Sequence, residues 1–532
     1  MSRRFWWVAG GGSVVVFAAA IIAAVLLSSP DTARVATGTR LAASTLPPDP
    51  PRPGDPKVSI AVSDRGVGAP VPSGFLGFSF EFQGVRAYTG SDPRHINPVL
   101  VQLIRNLTPG QAPVIRIGGN STDVSYVTAP GVKPLPYEGY RLTPSWMATT
   151  GALASRLGAR MIMGLNLAAN DPALDAAEVS DYVRALPEGS IEAVEIGNEP
   201  NVYNKITVYH TAAGARVHAR PRSFGYPAFR SQFDAIAHRT LPLSLAGPAL
   251  ATGPVPGPGS WVNVAANLLR HESRLSMMTV HRYPLRNCYV PPTSPQYPTI
   301  AHLLDSYATV SLADSLKRWV AIAHAQHRQL RLDELNSVAC RGKAGVSDTF
   351  ASALWVTDAL FGLARAGVDG IDMHTLPDAA YELFAFSRRD GHWQAQVRPI
   401  YYGLQLFAQA APPGARLLAV SRHGADAGLS AWATRDRHRR LRVVVINKSQ
   451  TRGKTVTVRL PAGTPATASA TVERMLAPSP RATRAVTLGA RSYGALTESG
   501  RLAAPEVERV HPVRGRLTLS VPGASAALVT VG

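Results

Sequence analysis

Between residues 75 and 374 the chain alternates short apolar runs with amphipathic stretches, and this alternation limits its possible folds more than any other feature. The apolar runs at 75–80, 114–117, 160–167, 193–196, 243–246, 277–281, 330–333 and 368–374 have the length of strands. Between them, 98–107, 176–186, 229–238, 262–269, 311–325 and 350–366 space their apolar residues as helices do. Strands that alternate with helices build a parallel sheet covered by those helices. Eight such units within 67–412 predict an α/β fold, a (β/α)8 barrel of the TIM type, with its working side chains at the C-terminal ends of the strands. The long segments 201–226 and 283–297 are expected to wall a cleft there.

The flanks read differently. After residue 413 the periodicity falls to two, at 441–446, 455–460 and 517–521, which predicts an antiparallel β-sandwich over 413–532. Residues 57–66 are also strand-like and are expected to join that C-terminal sheet. Arg3 and Arg4 precede an apolar run over residues 5–27, read as a signal peptide or signal-anchor helix. The run is longer than the roughly 7–15 residues of a usual signal-peptide core, which favours a retained anchor. A Pro-rich spacer, 28–56, follows. The rest of the chain is then expected outside the cytoplasm, secreted or held to the membrane.

Charge is unevenly shared. The net charge is +20, and residues 413–532 hold 19 Lys and Arg against 6 Asp and Glu. An anionic envelope polymer is one candidate partner for that basic domain, and a solvated Arg-rich face is the bland alternative. Nucleic acid is not expected, because no aromatic–basic ribbon accompanies the charge.

The chemistry lies at two strand ends. Val194-Glu195-Ile196-Gly197-Asn198-Glu199-Pro200 is an apolar strand that ends in a carboxylate, and Glu334 stands in a similar setting 135 residues later. A carboxylic acid and a carboxylate on two strand ends are what a retaining glycosidase needs, one as acid/base and one as nucleophile. Asn198 would bond the sugar 2-hydroxyl, and Tyr283 could hold Glu334 by its hydroxyl. Glu195 is read as structural and deeper. Asp333, next to Glu334, is expected to face the other way. Asn120 and Asp123 could bind sugar hydroxyls, as could Glu81. Gly118-Gly119 suggests a backbone that hugs the sugar, since no phosphate-loop pattern follows.

These motifs carry a family resemblance. Asn198-Glu199-Pro200 with the later Glu334 resembles the clan A glycoside hydrolases. Arg116-Ile117-Gly118-Gly119-Asn120-Ser121-Thr122-Asp123, His281-Arg282-Tyr283-Pro284 and Glu334-Leu335-Asn336-Ser337 bring the chain closer to glycoside hydrolase family 79, the β-glucuronidase and heparanase family. The resemblance spans about residues 57–532. It implies Glu199 as acid/base and Glu334 as nucleophile, retention at the anomeric carbon, and no metal or other cofactor.

Substrate identity rests on less. A glucuronide carboxylate could be met by the loop Ser337–Lys343, with Arg341, and by Tyr381 after the eighth strand. Exposed loop charge is the alternative reading for Arg341. Cys288 and Cys340 follow adjacent strands and are expected to pair as a disulfide in an oxidising compartment. An exo-acting β-glucuronidase is the leading reading. An endo-acting enzyme, another clan A specificity such as a xylosidase or arabinofuranosidase, and a non-catalytic carbohydrate-binding protein are the alternatives.

Overall fold

Leu76–Glu81, Val114–Gly118, Arg160–Leu165, Ile191–Ile196, Leu245–Ala251, Leu275–His281, Gln329–Leu335 and Gly370–Thr375 pair in that order, all parallel, and the eighth pairs with the first. The result is a closed (β/α)8 barrel. Its strands are buried on both faces, which is why they read as continuous apolar runs rather than as alternating ones. This computed structural model describes residues 56–211, 213–254, 261–424, 428–465 and 467–532. The proposed N-terminal helix and almost all of the spacer lie outside the described residues. Among the described residues, no helix is long and apolar enough to cross a membrane.

Helices start where sequence chemistry permits. Asn97, Thr143 and Asp171 each accept a backbone N–H in the first turn of Pro98–Leu107, Pro144–Leu157 and Pro172–Ala185, with proline at the first helical position. Inside the barrel, Val114, Ile162, Ala193, Ala246 and Met277 form an apolar floor. Two residues further along their strands, Arg116, Glu195 and Thr279 point to the same interior. Along these strands the interior runs from apolar at the base to charged towards the mouth, while Arg331 and Asp372 on the seventh and eighth strands form a buried ion pair at 2.6 Å.

The C-terminal part is one ten-stranded sheet rather than the expected pair of stacked sheets. Its continuity comes from Lys57–Val67, which pairs antiparallel with Arg416–His423 and parallel with Lys454–Arg459. That strand joins two runs that would otherwise be separate. The sheet curls so that Ile60, Val443, Val458, Leu519 and Val529 share one core. The run Arg435–Arg440 turns between Leu429–Arg435 and Leu441–Asn447, where Asp436 accepts the N–H groups of His438 and Arg440 and pairs with Arg442.

Sheet and barrel meet at a buried carboxylate. Asp358, on Phe350–Ala366, accepts from Lys448 Nζ (2.9 Å), Ser430 Oγ (2.8 Å) and Trp432 Nε1 (2.8 Å). Trp432 stacks on Phe361, ring centres 5.5 Å apart, and the Arg365 guanidinium lies over the Trp432 ring at 4.7 Å.

Candidate active site

Arg116 is the hub of the barrel mouth. It sits in the apolar second strand with no exposed surface, and a guanidinium there is costly unless its donors are met. They are met. Its Nε reaches Glu195 at 2.7 Å and Asp333 at 3.1 Å, Nη1 reaches Ser79 at 3.1 Å and Glu334 at 3.2 Å, and Nη2 donates to Asn198 Oδ1 at 3.0 Å. Gly118 leaves room for this guanidinium, since a Cβ there would lie 2.5 Å from Arg116 Cζ. Gly119, at φ 83°, likewise makes way for the Glu81 carboxylate, which accepts the N–H groups of Asn120 and Ser121. The two glycines thus make room for the protein's own charges, a use the sequence expectation of a backbone that hugs the sugar did not include.

Glu199 is placed by a tight turn. Gly197 takes φ 82°, where a Cβ would come within 2.8 Å of Leu167, and Glu199 itself takes φ 53°. A left-handed glutamate is uncommon and costs energy, a pattern that gathers at functional sites. The Glu199 N–H bonds Ala249 O at 2.9 Å, and Pro200 opens a short 3-10 turn that ends the strand.

Glu334 arrives by a register break. His281 pairs with Glu334 while Val280 pairs with Leu332, so one extra residue bulges from the seventh strand. Asp333 keeps the inward parity of Arg331, and the bulge turns Glu334 inward as well. The expectation that Asp333 faces away is therefore wrong, although it is an ion-pair partner, of Arg116.

The two glutamates face each other across His281. The imidazole Nδ1 lies 3.1 Å from Glu199 and 3.6 Å from Glu334, and one oxygen of each carboxylate and a ring nitrogen of His281 all lie within 4.8 Å of one another. Such a trio could offer ligands to a cation, but Arg116 already lies against Glu334, and His281 is held well above its ordinary pKa. Burial opposes that rise, and the Glu334 and Asp333 charges outweigh it. Burial likewise pushes Glu334 up, yet His374, His281 and Arg116, with the Tyr283 hydroxyl, hold it down at about 2. Tyr283 donates to Glu334 Oε1 at 2.7 Å. Glu195 is pushed up to about 8, by burial against the pull of Arg116 and with the help of Asp333.

The other sequence candidates divide. Asn198 and Asn120 stand at the mouth, linked Nδ2 to Oδ1 at 3.2 Å. Tyr381 packs 6.2 Å from the Tyr283 ring and 5.9 Å from His374. Glu81 is committed to backbone N–H groups. Asp123 is buried and accepts from Tyr203 at 2.5 Å, and that hydroxyl in turn accepts the Asn198 N–H at 3.3 Å. Arg341 is exposed, and its side chain donates to Pro377 O at 3.2 Å. Cys288 and Cys340 are bonded, beside the short parallel pairing of Leu285–Arg286 with Val338–Ala339. Sequence reasoning assigned no role to Arg116, His281, His374 or Tyr203. An arginine inside an apolar strand was a usable signal for the first, and histidines that close the sixth and eighth strands were signals for the next two.

Comparison with known proteins accords with the fold. Residues 431–528 match the glycosyl hydrolase family 79 C-terminal beta domain. A beta-glucuronidase of Neurospora crassa is 23% identical over 436 residues, 73% of this chain and 74% of the relative. Among solved structures, a 4-O-alpha-L-rhamnosyl-beta-D-glucuronidase from Fusarium oxysporum superposes with TM-score 0.68 at 19% identity, over 88% of this chain and all of that one. A GH51 arabinofuranosidase from Xanthomonas axonopodis pv. citri gives 0.63 at 14% identity, over 90% of this chain and all of its own. With the barrel, the trailing β domain and the strand-end carboxylates in place, the chain is a glycosidase whose C-terminal residues 431–528 match glycoside hydrolase family 79.

Proposed function

We propose that the chain releases β-linked glucuronic acid from glycans or glycoconjugates by double displacement, with Glu334 as nucleophile and Glu199 as acid/base. The observation that carries this reading is the short gap between the two carboxylates, with oxygens within 4.8 Å, at the ends of the fourth and seventh barrel strands. Retaining enzymes hold their carboxyls about 5–5.5 Å apart, and inverting ones about 6.5–9.5 Å. Glu334, kept ionised, attacks the anomeric carbon as Glu199 gives its proton to the leaving oxygen. Glu199 then takes a proton from water, which attacks the same carbon and frees Glu334. Arg116, Tyr283 and the two histidines fix the nucleophile and its charge. Asn198 is tied to Arg116 and Asn120 and has one amide hydrogen left for a sugar hydroxyl.

The glucuronide specificity follows the names of the Neurospora and Fusarium relatives. We assign Tyr381 and the loop Cys340-Arg341-Gly342 to the carboxylate end of the sugar. That loop is left-handed at all three residues, and Gly342 packs on the Tyr381 backbone. The Cys288–Cys340 bridge beside it supports an extracytoplasmic location. The test is hydrolysis of matched aryl β-glucuronide, β-glucoside and α-arabinofuranoside by the full chain. Turnover of the glucuronide alone supports the reading, and turnover of either other substrate instead keeps the chemistry and rejects the specificity.

A further inference from the structure

The C-terminal sheet carries an open cavity of about 1120 Å3 that plays no part in the site above. It exists because Lys57–Val67 breaks register: Val62 pairs with Val420 and Gly66 with Leu418, so Ser63, Asp64 and Arg65 bulge outward. Pro461, Pro465 and Pro512 also line it. Arg65, Arg459 and Arg514 line the cavity, are exposed, and have no side-chain hydrogen bond or ion pair among the described residues. Asp64, the one carboxylate of the lining among the described residues, is already engaged by Arg435 at 2.6 Å.

Two of these arginines sit where the fold gains nothing from them. Arg459 pairs directly with Arg516 across antiparallel strands, and like charges so placed repel. Arg514 takes φ 51° in the turn closed by Val513 and Arg516, ahead of Gly515 at φ 70°. Asn, Asp and Gly suit such a turn, and a long side chain does not. The sheet therefore bears local costs that concentrate unneutralised guanidinium groups around one open groove.

We infer that this groove binds a carboxylated polysaccharide, a polyuronate run held outside the active site. Guanidinium forks match carboxylates, and the proline rings offer flat apolar faces to sugar rings. Among the described residues the lining holds no aromatic side chain on which a base could stack, which argues against single-stranded nucleic acid. The choice of carboxylate over other anions rests on the glucuronide reading proposed above.

The test is affinity electrophoresis of the full chain in gels that contain polyglucuronic acid, a neutral β-glucan or polyphosphate. A triple variant, Arg65→Gln with Arg459→Gln and Arg514→Gln, is compared with the single Arg514→Asn, which suits the turn and guards against a folding failure. Retardation by polyglucuronic acid, weakened about tenfold in the triple variant and in part by Arg514→Asn, supports the groove. Unchanged retardation in both variants overturns it, as does equal retardation by polyphosphate at matched charge. Aryl glucuronide hydrolysis is scored separately and should be the same in all forms. Hydrolysis without any retardation sinks the groove alone, whereas retardation without hydrolysis sinks the specificity reading and leaves the groove's anion preference standing on the gel.

Discussion

Among the described residues, two of the buried charge clusters are built on different terms. At the junction of sheet and barrel, one carboxylate, Asp358, meets one ammonium, Lys448, and two neutral donors. At the barrel mouth, Arg116 faces Glu195, Asp333 and Glu334 together, and His281 lies among Asp333, Glu334 and Glu199. The first cluster is closed: every group has its partner and none faces a cleft. The second is crowded with acid, leaves Glu199 and Glu334 at the open end, and divides its members into groups pushed up in pKa and groups held down. A junction needs only satisfied charge. A catalytic site needs charge that a substrate can still use.

The largest expected effect lies in the second cluster. Glu334→Gln keeps the shape and removes the nucleophile, so kcat for an aryl β-glucuronide should fall by about 10^4-fold or more. Circular dichroism and the melting curve should stay close to those of the parent protein. A variant that retains a tenth of the activity would end the comparison, because the crowded cluster would then be structural too.

Next come the two ways of breaking a buried pair. Arg116→Met strands Glu195, Asp333 and Glu334, and should cost about 3–5 kcal/mol in urea unfolding. Among molecules that stay folded, loss of the guanidinium lets Glu334 rise from about 2, so the acid limb of kcat/KM moves to higher pH. Lys448→Met should cost a similar amount of stability, because it strands Asp358. Its pH profile should not move. A profile that shifts in both variants would mean that the two clusters are not separate in function.

A smaller change sharpens the same line. Tyr283→Phe removes one hydroxyl from Glu334, a bond to a charged group worth about 1.5–3 kcal/mol. kcat should drop by about 10- to 100-fold, and the acid limb should again shift upward. A loss confined to KM would show that Tyr283 holds the sugar rather than the nucleophile.

The barrel was legible because parallel strands buried on both faces cannot hide their apolar runs. Two helices were less visible. Pro144–Leu157 carries Thr, Gly and Ser among its apolar residues, and Pro399–Ala410 is buried on nearly all sides and so has no polar face to set a period. In the C-terminal sheet the alternation could be read, but the single continuous sheet could not, because it depends on a strand some 350 residues away in sequence. At the site, Glu199, Glu334 and the Tyr283 contact with Glu334 follow from strand ends. The inward turn of Asp333 does not, because a bulge is decided by the neighbouring strand. Nor does the use of Gly118 and Gly119, which answers to side chains elsewhere in the barrel.

The subtlest test concerns Asp123, which belongs to the mouth but is shielded from the cleft. Burial pushes its carboxyl up to about 8, against the Tyr203 hydrogen bond that pulls it down. The unfolded chain loses that proton near 3.8, so between about pH 4 and 8 the folded state holds a proton the unfolded state has released. Stability drawn from this residue is therefore complete below about pH 4, declines as pH rises, and levels off above about 8. Asp123→Asn can still accept from Tyr203 and carries no proton to lose. Its melting temperature should fall to or slightly below that of the parent at pH 4 and overtake it by a few degrees near pH 8. A constant difference across that range would mean that Asp123 is ionised in the fold, paired with Arg220 through the same pocket, and that the mouth holds one more usable charge than the geometry assigns to it.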